Sequence, residues 1–133
     1  MRVLRLALLL LLPALPAAAD PALAVQAFAP ASIATILGHA VLDPSGDEIG
    51  RLVDVLVDPD GRPRAAVLDV GGFLGIGMRR VAVAWEAFRF APGTGEIRLT
   101  QDLSTDQVSA APEFRGADQP MQILQPRRPA IQP

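Results

Sequence analysis

A glycine-rich segment between two β-type runs constrains the fold of this chain more than any other feature. Residues 71–77 hold four glycines around Phe73, Leu74 and Ile76, and aliphatic runs precede and follow them. Glycine readily adopts the positive φ values of tight loops, so the segment predicts a loop between neighbouring strands. Its glycine order differs from the phosphate-binding G-x-G-x-x-G pattern, and a strand follows it. Because it contains no acid, histidine or cysteine, we expect it to shape a surface or close a barrel rather than catalyse.

The first residues have the layout of a secretory signal peptide. Two arginines precede an apolar run at residues 6–12, and small residues at 17–19 suit cleavage after that point, although residues 22–24 offer a second site. The apolar run is about half of the roughly 20 residues that a membrane-spanning helix needs. We therefore predict a signal peptide at residues 1–19, a linker at residues 20–32, and a periplasmic protein with no stable membrane span after cleavage.

Charge and cysteine content restrict the class of partner. Without Arg2 and Arg5 the cleaved chain carries a net charge of −4. Such a chain has no net field that attracts nucleic-acid phosphates, so we expect no nucleic-acid partner. The chain has no cysteine, which leaves neither disulfides nor thiol chemistry. We also expect no cofactor.

The central part of the chain alternates short aliphatic runs with turns, which is the pattern of an all-β domain. Residues 49–57 form the longest run, and their imperfect alternation favours either a covered barrel or a bulged strand. Ser104 and Gln107 fit a capping box, which predicts a short helix that Pro112 ends. The predicted strands are residues 39–43, 49–57, 64–70, 80–84 with β character continuing to 90, and 96–100.

Several segments rich in Gly, Asp and aliphatic residues follow one another at residues 36–41, 46–58, 61–62, 66–77, 81–83 and 103–114. In this order they resemble the PRC-barrel domain, over residues 33–114. The resemblance implies a small antiparallel β-barrel of about six strands with a short C-terminal helix, related to the barrel of the photosynthetic reaction centre H subunit. It also implies a non-catalytic module for protein contact and assembly. Residues 115–133 are rich in Pro and Gln and are predicted to be a disordered tail.

The glycine-rich loop supplies the candidate contact residues for an unknown protein partner. Its apolar side chains either pack under the barrel or form an exposed patch, and an exposed patch would mark an interaction surface. Two arginines follow it closely in the chain. The candidate partner-binding residues, all within the loop segment 71–80, are Phe73, Leu74, Ile76, Arg79 and Arg80.

Three other features are interpreted as structural. His39 is the only histidine and lacks the neighbours of a metal site or a catalytic triad, so it is predicted to be a surface or strand-edge residue. Residues 58–61 resemble the start of a calcium loop, but Arg62 stands where a ligand is needed, which favours a hairpin turn. Trp85 is predicted to plug the core or one end of the barrel. No metal site is expected.

Two alternative functions remain open at this point. A hydrolase would use the cluster of Asp54, Asp58 and Asp69, provided that two of these carboxylates lie close together with a raised pKa. The competing interpretation is that they cap backbone groups or pair with Arg51 and Arg64. The second alternative is an envelope structural or stress protein that forms homo-oligomers through an open strand edge.

Overall fold

Six strands, one 3-10 turn and one short helix make up the regular structure of the described residues. The computed structural model describes residues 13–17, 23–71 and 77–127, so most of the predicted signal peptide lies outside the described residues. The elements are β1 (Ala40–Leu42), β2 (Glu48–Val57), β3 (Pro63–Val70), β4 (Arg79–Ala84), a 3-10 turn (Trp85–Ala87), β5 (Phe88–Ala91), β6 (Glu96–Leu99) and α1 (Thr105–Ala110).

The strands form one sheet in the order β4-β3-β2-β1-β6-β5. All neighbouring strands are antiparallel except β1 and β6, which are parallel. This confirms the predicted all-β class with a short C-terminal helix. Within the described ranges no strand pairing joins β4 to β5, and the 3-10 turn Trp85–Ala87 links them where the sequence predicted continuous β structure. No helix in these ranges is long and apolar enough to cross a membrane.

A bulge in β2 explains the imperfect alternation of its sequence. Leu52 pairs with Leu68 and Val55 pairs with Ala66, so β2 advances by three residues where β3 advances by two. The extra residue, in the region of Val53, reverses the alternation of the strand. Leu52 and Val55 therefore both pack into the core although three positions separate them. Of the two sequence interpretations, the bulged strand is the one observed.

The main apolar core cluster lies on one face of the sheet and is closed by the helical segment, and several positions of β3 and β4 on the opposite face are buried as well. Leu103 and Val108, at the start and middle of the helical segment, are each 1% exposed and belong to the core cluster. The predicted capping box holds this segment, because Ser104 Oγ accepts from the Gln107 N–H and Gln107 Oε1 accepts from the Ser104 N–H. The strand residues in the cluster include Val41, Leu52, Leu68, Val81, Val83 and Ile97.

Residues 114–127, which we call the C-terminal strap, cover the outer edge of β4. The N–H of Phe114 donates to the Arg80 carbonyl at 2.8 Å. Farther along, the N–H of Leu124 donates to the Ala82 carbonyl at 2.9 Å, and the N–H of Ala84 donates to the Leu124 carbonyl at 2.8 Å. The sequence predicted disorder from residue 115, and the structure instead places Leu124 against the sheet in a parallel bridge. An otherwise open strand edge is thereby paired.

Asp43 joins the β1–β2 turn to α1. Its carboxylate is buried and accepts hydrogen bonds from the N–H groups of Ser45 and Asp47, each at 2.9 Å. The Thr105 hydroxyl also donates to it, at 2.7 Å. These hydrogen bonds stabilise the ionised carboxylate and lower the pKa of Asp43 below its ordinary value. The bond from Thr105 has the largest effect. Nothing in the sequence pattern indicates this buried acceptor.

The lowered pKa of Asp43 makes part of the stability dependent on pH. This contribution is fully present above the unfolded-state pKa and is lost as the pH falls through the lower folded-state pKa. We expect Asp43→Asn to reduce stability at neutral pH and to weaken the further loss of stability below about pH 4. Urea unfolding across this pH range measures both effects. The exposed Asp60→Asn variant serves as the control, and equal acid sensitivity of all three proteins would contradict the prediction.

Candidate functional site

The glycine-rich loop leaves the β3–β4 ladder at a closed base. Val70 and Arg79 are the last register partners of this ladder. Gly71 follows with a φ of +95°, a conformation that favours glycine. A Cβ atom at Gly71 would lie 3.3 Å from the Gly77 carbonyl oxygen, which shows that the two ends of the loop lie against each other. The base of the loop is therefore narrow and is held by the β3–β4 ladder.

Three candidate partner-binding residues fall on the loop itself. Phe73, Leu74 and Ile76 lie outside the described residues, so their role as partner contacts stays a prediction. Met78, which the sequence analysis did not single out, follows them and is 62% exposed. Methionine is an adaptable apolar contact residue. The exit of the loop thus presents an apolar side chain to solvent.

The two candidate arginines have different surroundings. Arg79 Nη2 donates to the carbonyl oxygens of Ser109 and Ala111 at the end of α1, the second at 2.6 Å. A cation at this position satisfies carbonyl groups that the helix leaves without partners. Arg80 Nε pairs with Asp69 Oδ1 at 3.0 Å, and the Arg80 side chain is 61% exposed. Arg79 therefore ties the loop exit to the helix, while Arg80 stays accessible at the surface.

The aspartates of the hydrolase alternative each have a structural contact. Asp54 accepts from the following backbone N–H at 2.8 Å, and Asp58 accepts from two N–H groups of its own hairpin turn, each at 3.0 Å. Asp69 forms the ion pair described above, not one with Arg51 or Arg64. In the part of the chain that the structure describes, no group of three His, Cys, Asp or Glu residues could hold a metal ion.

Trp85 lines an apolar groove of about 200 Å³ between the β5–β6 hairpin and the segment that precedes β1. Its ring lies 5.0 Å from that of Phe90, measured between centroids, and Ile36 lines the groove with them. Trp85 also packs against the edge of the core. The sequence analysis missed this groove because its walls come from segments that are far apart in the chain.

His39 stands immediately before β1 and contacts the β5–β6 turn. Its Nδ1 lies 3.2 Å from the Gly95 carbonyl oxygen, so the tautomer that carries a proton on Nδ1 donates this hydrogen bond. A Cβ atom at Gly95 would come within 3.0 Å of the His39 ring. These contacts give His39 a packing role at the end of a strand, in keeping with the sequence interpretation.

A comparison with known protein families identifies the family of this domain. The model of the PRC-barrel domain matches residues 31–104, which is more than half of the chain and spans all six strands. The match begins two residues before the predicted start of the domain, at residue 33, and ends just before α1. No curated protein matched this chain. With its six-stranded sheet and a family match that covers every strand, the chain belongs to the PRC-barrel domain family.

Proposed function

We propose that this protein is an exported, periplasmic binding module that holds a partner protein in an assembly through loop residues 71–80. Membership of the PRC-barrel family supports a non-catalytic module. The observation that carries the proposal is the fixed base of the loop, where Gly71 packs against Gly77 and Arg79 is bonded to the end of α1.

A fixed base favours binding for a physical reason. Association costs free energy for every segment that must be ordered at the interface, so a loop whose ends are already held loses less. Burial of apolar residues on such a loop supplies favourable free energy of binding. Phe73 and Leu74 would each contribute about 1.5–3 kcal/mol if a partner fully buried them. The exposed Met78 extends the same apolar contact. The accessible charge of Arg80 would act mainly on the rate and specificity of association.

Photo-crosslinking from position 74 in cells tests the proposal. A photoreactive residue there is expected to give one dominant adduct with a partner protein in the periplasmic or membrane fraction. The control carries the same residue at position 57, because Val57 is 58% exposed and lies at the opposite end of the β2–β3 hairpin. Equal adducts from both positions would show nonspecific capture. An adduct with the mass of two copies would favour the self-associating alternative.

Leu74→Asp provides the matching loss-of-function variant. We expect it to abolish partner capture and to leave the thermal unfolding temperature close to that of the wild type, because the charge would stand at the contact surface. Capture by pull-down and unfolding by circular dichroism are measured on the same preparation. A large drop in the unfolding temperature would instead show that Leu74 belongs to the core, and the proposed contact surface would then be wrong.

A further inference from the structure

The outer edge of β4 is covered by very few contacts. Phe114 bonds to Arg80 at one end, and Leu124 bonds to Ala82 and Ala84 at the other. Among the described residues, the one bridge at this edge pairs Leu124 with Val83 in parallel orientation. A sheet edge presents a row of backbone donors and acceptors that can pair with any extended chain. The C-terminal strap therefore pairs with this edge mainly through a single residue.

The connection between the two contact points is much longer than the distance it covers. The Arg80 and Ala82 carbonyls are two residues apart on one strand, or about 7 Å. Residues 115–123 connect their partners and could span about 30 Å when fully extended. This long tether can release Leu124 from the sheet without disturbing Phe114. If the released tether behaves as a short flexible linker, the effective concentration of Leu124 at the edge is in the millimolar range.

The position that Leu124 occupies has a defined chemistry. Its side chain is partly buried against the core cluster, next to Val83 in register. The following residue, Gln125, lines a cavity of about 300 Å³ together with Arg64 and Glu86. The edge therefore provides an apolar binding position for one aliphatic side chain. A polar cavity with both a positive and a negative group lies next to this position.

We propose that the β4 edge is a strand-acceptor site for an extended protein segment in which an aliphatic residue is followed by a polar one. The incoming segment runs parallel to β4 and replaces Leu124 in the bridge. Main-chain hydrogen bonds provide affinity, and the apolar binding position for the aliphatic side chain provides specificity. In the free protein the C-terminal strap occupies the site and competes with the incoming segment. The bonds that the incoming segment replaces lie at Ala82 and Ala84, outside the loop segment 71–80, so either proposal can fail without the other.

A peptide-binding measurement on the full-length chain tests the site. The probe is a fluorescent peptide with the sequence of residues 119–127, added to the wild type and to Leu124→Asp. The variant loses the competing side chain, so we expect it to bind the probe about three- to tenfold more tightly, about half of the free energy of full leucine burial, because Leu124 is partly buried. Met121→Asp introduces the same charge at an exposed position of the same segment and should bind the probe like the wild type.

Several outcomes would overturn the proposal. Equal affinity of the wild type and Leu124→Asp for the probe would do so, as would tight binding of a probe that carries aspartate in place of its leucine. A Leu124→Asp protein that forms a dimer which the probe does not dissociate would show that a second copy takes the edge. If Leu124→Asp unfolds, Leu124→Ala removes most of the anchor without adding charge, and an unchanged affinity of this variant would contradict the proposal equally.

Discussion

Leu52→Ala is expected to lower the free energy of unfolding by about 2–5 kcal/mol. Leu52 has no exposed surface and pairs with Leu68, which is also fully buried. Leu52 is hydrogen-bonded through its N–H and its carbonyl to residues 38–39 and pairs with β3 on the other side, so the surrounding backbone cannot easily collapse into the space that alanine leaves. Urea unfolding at neutral pH measures the loss.

Val57→Ala in the same strand is the matched control for this substitution. Val57 is 58% exposed, and its truncation is expected to change the free energy of unfolding by no more than about 0.5 kcal/mol. A loss below 1 kcal/mol for Leu52→Ala would mean that the core repacks around the cavity. Such a result would contradict the rigid strand pairing around Leu52.

Gly50→Ala is expected to destabilise the sheet by about 3 kcal/mol, at the upper end of what inserting a methyl group into a packed site costs. A Cβ atom on Gly50 would lie 2.3 Å from the Asp69 carbonyl oxygen and 2.9 Å from Val70 Cγ1. The closer atom belongs to the backbone of β3, so a side-chain rotation cannot relieve the clash. The β2 and β3 backbones would have to separate where they are paired.

Gly77→Ala separates this steric effect from the general effect of replacing glycine. No described atom lies within 4 Å of a Cβ built on Gly77, and its φ is outside the positive range that disfavours alanine. We expect a change within about 0.5 kcal/mol. Thermal unfolding of the two variants in parallel is the measurement, and equal destabilisation would show that close packing of β2 on β3 is not the cause.

Local sequence patterns were sufficient to predict most of the strands and the helix. The observed strand β2 begins one residue before its predicted start, and the capping box at Ser104 marks the helix start correctly. These features depend on neighbouring residues, which the sequence displays directly. After Ala84 the prediction was wrong only at Trp85–Ala87, because Trp85 favours a strand locally, and the β character predicted up to residue 90 is confirmed in β5. The 3-10 turn at Trp85–Ala87 carries the chain from β4 to β5, a requirement of the whole fold.

The candidate site was less predictable because its contacts join distant segments. Nothing near Arg79 in the chain indicates that its guanidinium binds carbonyls of Ser109 and Ala111. The C-terminal strap has the Pro- and Gln-rich composition of a disordered tail, and its pairing rests on one apolar residue, Leu124. The apolar composition of the loop residues was visible in the sequence, but composition alone does not decide whether side chains are buried or exposed.

The parallel pairing of β1 with β6 has a consequence for folding kinetics. Val41 lies opposite Ile97, so the pairing joins the first and last strands of the sheet in chain order and encloses β2 to β5 between them. Contacts of such high sequence separation slow folding, because loop closure costs entropy before the contact forms. The antiparallel strands β2, β3 and β4 can form from local hairpins much earlier. Because β6 lies inside the sheet, a nascent chain that ends before it lacks an interior strand, and β1 keeps an unpaired edge until synthesis passes residue 99.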